Sequence, residues 1–255
     1  MQKIVAIALN TFRESIRDRV FYSLLAFALI MLAFSLVLGY LTVGDEIKII
    51  KDFGLAAISL FGVLIAIFVG ISLVYKEMEK RTIYVILANP ISRYQFVLGK
   101  YLGLSLTLLV EVVVMTAGLF ALCYLKQQAI PWDLFTAIVP IWFELQLILA
   151  VALLFSTFVS PFLSGLCTLA VFIIGHLTLD FKQLVANLDS SPLKMTADVL
   201  YYTFPNLEIL NFKARVVHGV DIALADFLFS LAYASCYTIM ILALALFIFN
   251  RRDIR

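Results

Sequence analysis

Long apolar runs alternate with short polar segments along the chain, and six of the runs are long enough to cross a membrane. These runs cover residues 20–41, 53–75, 101–125, 134–158, 162–179 and 227–249. A helix of about 20 apolar residues spans the hydrocarbon core of a bilayer. The runs are continuous and do not alternate in polarity, which favours helices over barrel strands. The pattern predicts an all-α integral membrane protein with six transmembrane helices in a single domain, residues 1–255.

The N-terminal segment 1–19 has a different pattern, with apolar residues at helical spacing on one face. Val5, Leu9, Phe12 and Ile16 recur at intervals of four, three and four residues, and polar residues occupy the opposite face. This period predicts an amphipathic helix lying on the inner leaflet, and it differs from the uninterrupted apolar core of a signal peptide. A simple polar tail is the alternative.

Composition and charge agree with a membrane protein and suggest its orientation. Hydrophobic residues make up 64% of the chain and charged residues 14%, with a mean hydropathy of +1.05. Most of the basic residues lie in the segments that are cytoplasmic if the N-terminus is inside. We therefore expect a multi-pass protein of the cytoplasmic (inner) membrane with both termini in the cytoplasm. Its three cysteines all lie in predicted spans and form no metal or disulfide motif.

The loop 76–100 between the second and third spans is more strongly patterned than a plain connector. A charged stretch continues the second span, and Asn89 and Pro90 then interrupt the helix. Ser92 followed by Gln95 forms a capping box that starts the next helix. The pattern predicts a helix, a sharp break and a second helix, which would present a short rigid element to the cytoplasm.

These loop residues resemble the corresponding loop of ABC-2-type transporter permeases. In that family the loop carries a coupling helix that docks on an ATP-binding subunit. The resemblance assigns ATPase coupling to Glu77, Glu79, Lys80, Arg81, Thr82, Pro90 and Arg93. It also identifies the N-terminal segment as the family's elbow helix. The alternative for each charged residue is a simple anchor at the level of the lipid headgroups.

The basic ending at 249–253 also resembles the ending that is usual in this family. Pro205-Asn206-Leu207-Glu208 with His218-Gly219 resembles, more narrowly, the multicopper-enzyme-maturation, or NosY-like, subgroup. The chain has no phosphate-binding loop of the Gly-x4-Gly-Lys-Ser/Thr type. The resemblance therefore implies that ATP and Mg bind to a partner ATPase subunit, and that this chain binds no cofactor.

The resemblance also implies a quaternary arrangement. Two permease copies, as a homodimer in the lipid bilayer, would combine with two ATPase subunits on the cytoplasmic side. An extracytoplasmic accessory protein is a further candidate partner, and no nucleic acid is expected. Gly62, Ala66 and Gly70 form a stripe of small residues that allows close helix contact. The sequence leaves open whether this stripe packs within one protomer or across the dimer.

Two carboxylates lie inside predicted spans, where ionisable groups are costly and face a bundle interior or a water-filled cavity. Glu111 is in the third span and Glu144 in the fourth, so both are candidates for a translocation pathway. The alternative is a structural role as hydrogen-bonded residues. His176 is alone in the fifth span, and such a histidine is more often a packing residue.

The segment 180–226 is predicted to lie outside the membrane on the far side from the termini. Ser191-Pro192 marks a helix start and Phe204-Pro205 a helix end. We expect these amphipathic pieces to lie at the outer interface and to cap an exit, with Pro205, Asn206 and Glu208 as candidate gate residues. An inert surface loop is the alternative.

Together these features predict a permease subunit of an ABC-2 exporter that moves a substrate of unknown identity and is energised by a separate ATP-binding subunit. The chain carries none of the intramembrane catalytic motifs, so a transport subunit is favoured over an enzyme. Two alternatives stay open. One is an ion-coupled secondary transporter that uses Glu111 and Glu144, and the other is an ABC module that transmits force or assists assembly without cargo.

Overall fold

The computed structural model describes residues 2–42, 45–79, 92–186 and 191–251, and it describes the side chains of 2–42, 45–71, 92–185 and 192–251. All regular structure in these ranges is helical. The α-helices are α1 (Gln2–Ile16), α2 (Arg19–Tyr40), α3 (Glu46–Glu79), α4 (Arg93–Gln127), α5 (Phe135–Ser156), α6 (Pro161–Ala186), α7 (Ser191–Thr203), α8 (Lys213–Val217) and α9 (Leu224–Arg251). Two short 3₁₀ helices, Trp132–Leu134 and Glu208–Leu210, are also present in the described ranges.

Six of these helices, α2, α3, α4, α5, α6 and α9, are long and apolar enough to cross a membrane. The predicted all-α integral membrane fold with six spans is therefore confirmed. The longest two, α3 and α4, have 34 and 35 residues, or about 50 Å each, and so exceed the roughly 30 Å hydrocarbon core. Each helix is therefore longer than a single crossing requires.

Local sequence signals account for several helix ends. The predicted capping box is present at the start of α4, where the Ser92 N–H donates to Gln95 Oε1. The Val20 N–H donates to Asp18 Oδ1 at 2.9 Å, so Asp18 caps α2. Pro161 occupies the first position of α6, where its missing N–H costs nothing. Gly219 follows α8 with a φ of +67°, a left-handed conformation that glycine adopts without strain.

The two ends of the bundle are distinct. α1, the start of α4 and the end of α9 lie together, and we call this the terminal end. The other end carries the α2–α3 connection, the start of α5 and the segment 191–223, and we call it the distal end. Ion pairs tie helices together at the distal end: Lys126 Nζ lies 2.7 Å from Glu46 Oε2, and Lys51 Nζ lies 2.8 Å from Asp133 Oδ2.

Helix α5 forms the centre of the bundle and packs against α3, α4, α6 and α9. Every side chain from Glu144 to Leu153 is buried. Helix α3 packs closely along α5 because of its small residues. Gly62 faces Leu145, and Gly70 faces Leu149 at ordinary van der Waals distance. The small-residue stripe therefore packs within one protomer.

The other four spans expose much of their apolar surface. Large side chains such as Phe27 on α2, Phe162 on α6 and Phe229 on α9 are more than half exposed. Lipid covers such surface in a membrane protein, so these residues are in contact with the bilayer or with another protein chain.

Helix α1 packs into a groove on α4 that is formed by glycines. A methyl group at Gly99 would lie 2.7 Å from Ile7 Cβ, and one at Gly103 would lie 2.5 Å from the carbonyl oxygen of Ala8. Gly99 and Gly103 are four residues apart and so lie on one face of α4, which is the small-xxx-small arrangement of close helix pairs.

The surface of α1 has three faces, whose directions around the helix axis are about a third of a turn apart. Ala8, Thr11 and Ser15 are buried against the protein. Val5 and Leu9, which belong to the predicted apolar face, are about half exposed. The remaining face carries the polar residues. The sequence pattern identified the exposed apolar face, but the contact with α4 uses a second face that contains Ala8, Thr11 and Ser15 together with Ile7.

The fifth span is longer than predicted. α6 continues to Ala186, about two turns into the segment that was assigned to the exterior. Lys182 in this extension is paired, since Lys182 Nζ lies 3.0 Å from Asp198 Oδ1 and 4.1 Å from the centre of the Tyr201 ring. Because α7 supplies these partners, Lys182 does not end the helix.

Candidate functional site

Glu144 lies at the centre of the bundle and is fully buried. Ser59 Oγ on α3 donates to Glu144 Oε1 at 3.5 Å. His176 Nε2 on α6 lies 3.6 Å from the same oxygen. The three side chains therefore form a polar cluster that joins α3, α5 and α6 inside an apolar core. We call Ser59, Glu144 and His176 the buried cluster.

The ring of His176 has a defined orientation within this cluster. His176 Nδ1 lies 3.2 Å from the carbonyl oxygen of Phe172, one turn earlier in α6. A carbonyl oxygen only accepts hydrogen bonds, so this contact is a hydrogen bond in the form of the ring that carries a proton on Nδ1. Nε2 then faces the carboxyl group of Glu144. A histidine that the sequence marked as a packing residue is thus the closest ionisable neighbour of a predicted pathway residue.

Glu111 occupies a second buried position, on α4. Neither of its carboxyl oxygens has a hydrogen-bond partner among the described residues. A methyl group at Gly62 would lie 3.2 Å from Glu111 Oε2, so the carboxyl group rests against the stripe of α3. Ser59 and Gly62 are about one helical turn apart on α3. The two predicted pathway residues therefore contact the same face of α3 at neighbouring levels.

A polar contact between α4 and α5 lies close to this region. Tyr101 Oη donates to Gln146 Oε1 at 3.0 Å, and Gln146 is two residues beyond Glu144. The side chain of Gln146 is buried. Polar contacts from α5 thus reach α3 and α6 through Glu144 and α4 through Gln146, which makes α5 the common partner of three neighbouring spans.

The predicted gate residues lie at the distal end, directly against the bundle. The Leu207 N–H donates to the carbonyl oxygen of Gly175 at 3.0 Å, and the Asn206 N–H donates to Tyr233 Oη at 2.9 Å. Leu207 is completely buried. We call residues 205–208 the distal segment. It packs on α6 at the residue that precedes His176.

The distal segment is also held by bonds of its own. Asn206 Oδ1 accepts from the Glu208 N–H at 3.1 Å, and Glu208 Oε1 accepts from Asn211 Nδ2 at 2.9 Å. Asn206 and Glu208 therefore stabilise the conformation of this turn through their hydrogen bonds. Gly175 makes the close packing possible, because a methyl group there would lie 2.8 Å from the carbonyl oxygen of Pro205.

Of the predicted coupling residues, only Arg93 has a described side chain. Arg93 Nη1 donates to the carbonyl oxygens of Phe249 and Asn250, each at 2.9 Å. These carbonyls end α9, where a cation also complements the helix dipole. Arg93 thus joins the start of α4 to the end of α9. Lys80, Arg81, Thr82 and Pro90 lie outside the described residues, as do the side chains of Glu77 and Glu79 in α3 and the C-terminal residues 252–255.

The sequence missed Ser59 and His176 as partners of Glu144, although one signal was available. α5 and α6 form an antiparallel hairpin around Ser160. Glu144 and His176 are each sixteen residues from Ser160, and residues equidistant from such a turn lie at the same depth. No comparable signal identified Ser59. In the part of the chain that is described, no group of three or more His, Cys, Asp or Glu could hold a metal ion.

Comparison with known protein families agrees with this architecture. The model of a family described as ABC-2 family transporter protein matches residues 5–254. The chain belongs to the ABC-2 transporter family. It is therefore a multi-pass membrane permease of an ABC transporter, and membership of the ABC-2 family implies pairing with an ABC ATPase subunit. Among curated proteins, no match to this chain was found.

Proposed function

We propose that this ABC-2 permease is the transmembrane subunit of an exporter of the NosY-like subgroup. A separate ATPase subunit binds ATP and Mg and supplies the energy, and this chain performs no chemistry of its own. Two permease copies and two ATPase subunits form the complex, which lies in the cytoplasmic membrane with the terminal end in the cytoplasm. An extracytoplasmic accessory protein is a further proposed partner.

The observation that carries this proposal is the packing at the terminal end. The segment 80–92 joins the two longest helices there, and the start of α4 holds both α1 and α9. Gly99 and Gly103 contact α1, and Arg93 bonds to the last carbonyls of α9. A force applied to this segment would therefore reach three helices at once. This arrangement is suited to a loop that docks on an ATPase subunit and transmits its conformational change to the helices.

Charge supports the proposed orientation. Arg13, Arg17 and Arg19 are exposed at the terminal end. Basic residues in short segments beside a span favour the cytoplasmic side. The distal end carries acidic partners such as Glu46 and Asp133 beside its lysines. The terminal end is thus the better surface for a cytoplasmic ATPase.

A groove between α3 and α6 supports the proposal that the substrate is apolar. It has a cavity volume of about 390 Å³ and is lined by residues such as Leu64, Phe68, Phe162 and Leu166. Its lining residues are apolar, and several of them are exposed on the surface that faces lipid. We propose that a lipidic or other hydrophobic substrate uses this side of the bundle.

The test is copurification followed by ATPase and transport assays. We expect native mass spectrometry in mild detergent to show two copies of the chain with two ATPase subunits. Replacing Glu79 and Arg81 by alanine should reduce coupled ATPase activity without reducing membrane insertion. Asp45→Ala with Lys48→Ala is the matched control, because this exposed ion pair lies at the distal end and contributes little to stability.

Other outcomes would point to other functions. Uptake into vesicles that is driven by a proton gradient without ATP would support the ion-coupled transporter, which the buried carboxylates of Glu111 and Glu144 favour. A stable complex that hydrolyses ATP but moves no cargo would support a force-transmitting module. Wild-type coupling in the Glu79 and Arg81 double variant would contradict the assignment of the coupling loop.

A further inference from the structure

A second groove lies between α4 and α5, and it shares no lining residue with the groove between α3 and α6. Its cavity volume is about 460 Å³. The walls include Leu109, Val113, Ala117 and Phe120 on α4, and Phe135 and Trp142 on α5. We call it the α4–α5 groove.

The two helices touch beyond each end of this groove and separate between the contacts. At the distal end, the rings of Phe120 and Phe135 meet edge to face, with their centres 5.3 Å apart. Toward the terminal end, Tyr101 Oη donates to Gln146 Oε1 at 3.0 Å. Val113 lines the groove between these contacts and is 58% exposed. The groove therefore opens toward the outside of the bundle, where a molecule can enter it from the bilayer.

The α4–α5 groove lies in one half of the membrane. Trp142, at its central end, is two residues from Glu144 in the middle of the bundle, and Phe135, at its distal end, is the first residue of α5. Residues 109–120 of α4 rise by about 16 Å along the groove. This length is about half of the roughly 30 Å hydrocarbon core, so the groove spans the distal leaflet.

The surface of the groove is almost entirely hydrocarbon. Among its lining residues, only Thr116 and Trp142 have polar side-chain atoms. The Thr116 hydroxyl and the Trp142 N–H are buried behind the wall. A polar group that entered the groove would leave its partners in water without gaining new ones, which costs about 1–3 kcal/mol. The groove therefore favours an apolar occupant.

The width of the groove selects a single chain over a helix. A volume of about 460 Å³ over a length of about 16 Å gives a cross-section of about 28 Å², or about 6 Å across. Non-bonded carbon atoms approach to about 4 Å, so one extended hydrocarbon chain fits this width. An α-helix with its side chains is about 10–12 Å across and cannot enter.

The distal rim of the groove marks the level of the lipid headgroups. Trp132 is 68% exposed and stacks on Phe135 with ring centres 5.9 Å apart. Tryptophan is enriched at this level of membrane proteins. The adjacent Asp133 pairs with Lys51, so the two charges at this part of the rim balance. We therefore expect the charge of a bound headgroup to have little effect.

We propose that the α4–α5 groove binds one acyl chain of a phospholipid from the distal leaflet. The groove is continuous with the lipid-facing surface of the spans, since Leu109 and Phe135 at its edges are 41% and 42% exposed. The groove between α3 and α6 instead reaches Pro161, the first residue of α6, in the opposite half of the membrane. The bound lipid is thus distinct from the proposed substrate, and the site does not depend on the export function.

Fluorescence of Trp142 tests whether a lipid chain enters the groove. The chain has two tryptophans, and Trp132→Phe leaves Trp142 alone on the groove wall. The purified protein is placed in vesicles of phosphatidylcholine whose acyl chains carry bromine near their middle, because bromine quenches tryptophan on contact. We expect most of the fluorescence to be lost relative to vesicles of the same lipid without bromine.

A variant that fills the groove is compared with a variant at the same depth elsewhere. Ala117→Phe places a ring in the groove and should restore most of the Trp142 fluorescence. The control is Ala33→Phe on the exposed surface of α2. A methyl group at Gly118 would lie 2.8 Å from Leu32 Cδ2, so the neighbouring residue 33 lies at the level of residue 117. Ala33→Phe should be quenched as strongly as its parent.

Native mass spectrometry after exchange into lipid-free detergent measures how firmly the lipid is held. We expect one phospholipid per chain in the parent and in Ala33→Phe, and none in Ala117→Phe. Zwitterionic phosphatidylcholine and anionic phosphatidylglycerol should be retained equally, because the charges of Lys51 and Asp133 balance.

Four results would overturn the proposal. Fluorescence of Trp142 that does not respond to brominated lipid would show that no lipid chain reaches the groove. Equal quenching in Ala117→Phe and its parent would place the contacting lipid outside the groove. Quenching without any retained lipid would reduce the site to passing contact with the bilayer. Retention of the anionic lipid alone would show that the headgroup is recognised and the chain is not.

Discussion

Substitution of Gly103 by alanine should loosen α1 from α4. The added methyl group would lie 2.5 Å from the carbonyl oxygen of Ala8 and 2.6 Å from Thr11 Cβ, whereas ordinary contact begins near 3.4 Å. Both neighbours are fixed to the backbone of α1, so no side-chain rotation relieves the overlap. The helix must move by about 1 Å, and overpacking of this kind costs about 1–3 kcal/mol.

The preference of alanine over glycine for a helix does not offset this cost, because α4 stays helical whether or not α1 is attached. A cost of about 1–3 kcal/mol raises the population of detached α1 by about 5- to 150-fold. Gly70→Ala is the matched control. Its methyl group would lie 3.5 Å from Leu149 Cδ1, an ordinary contact, so this variant should be neutral or slightly more stable.

Limited trypsin digestion measures the detached population. Cleavage after Arg13, Arg17 or Arg19, at the junction of α1 and α2, is followed by mass spectrometry of the released N-terminal fragment. When opening and closing are fast, the rate of cleavage follows the population of the open form. We expect faster cleavage in Gly103→Ala than in Gly70→Ala. Equal rates would refute the inference that α1 needs a glycine at this contact.

Three further predictions follow from the packing of the bundle. Arg93→Ala removes two hydrogen bonds to the end of α9 and should lower the stability of the purified chain by about 1–2 kcal/mol, with a smaller loss in Arg93→Lys. An unchanged melting temperature in Arg93→Ala would contradict a stabilising contact between Arg93 and α9. Glu111→Leu replaces a buried carboxyl group that lacks a partner among the described residues, so it should raise the free energy of unfolding by about 1–3 kcal/mol. Loss of transport in this more stable variant would support a role of Glu111 in the pathway. Gly175→Ala should displace the distal segment and accelerate maleimide labelling of Leu207→Cys at constant pH, because its methyl group would overlap Pro205 and Leu207; unchanged labelling would show that the contact is not tight.

Much of the fold could be predicted from the sequence because the constraint of the bilayer is simple. A crossing helix must be apolar over a fixed length, so the six spans were visible as runs, and their ends differ from the ends of the observed helices by up to eight residues. The capping box at Ser92 and the helix limits near Ser191 and Pro205 are local signals and were also found. The end of α6 was placed too early because pairing of Lys182 with α7 is not a local property.

The candidate site was only partly predictable. Burial of Glu111 and Glu144 follows from their positions in the middle of apolar runs, where an ionisable residue is conspicuous. Their partners do not follow from the runs, since the rotation of each helix about its axis is set by packing. That rotation brings Ser59 and His176 to Glu144 and leaves Glu111 against Gly62.

The sequence by itself determined that this chain crosses a membrane with six helices, because hydrophobic length acts on each segment separately. Its motifs also indicated the ABC-2 family, which the family model confirms. Only the tertiary structure decided that the small-residue stripe packs against α5, that α1 fits a glycine groove on α4, and that Glu144 and His176 share one site. Each of these contacts joins residues far apart in the chain, and their geometry depends on how the helices rotate and approach one another.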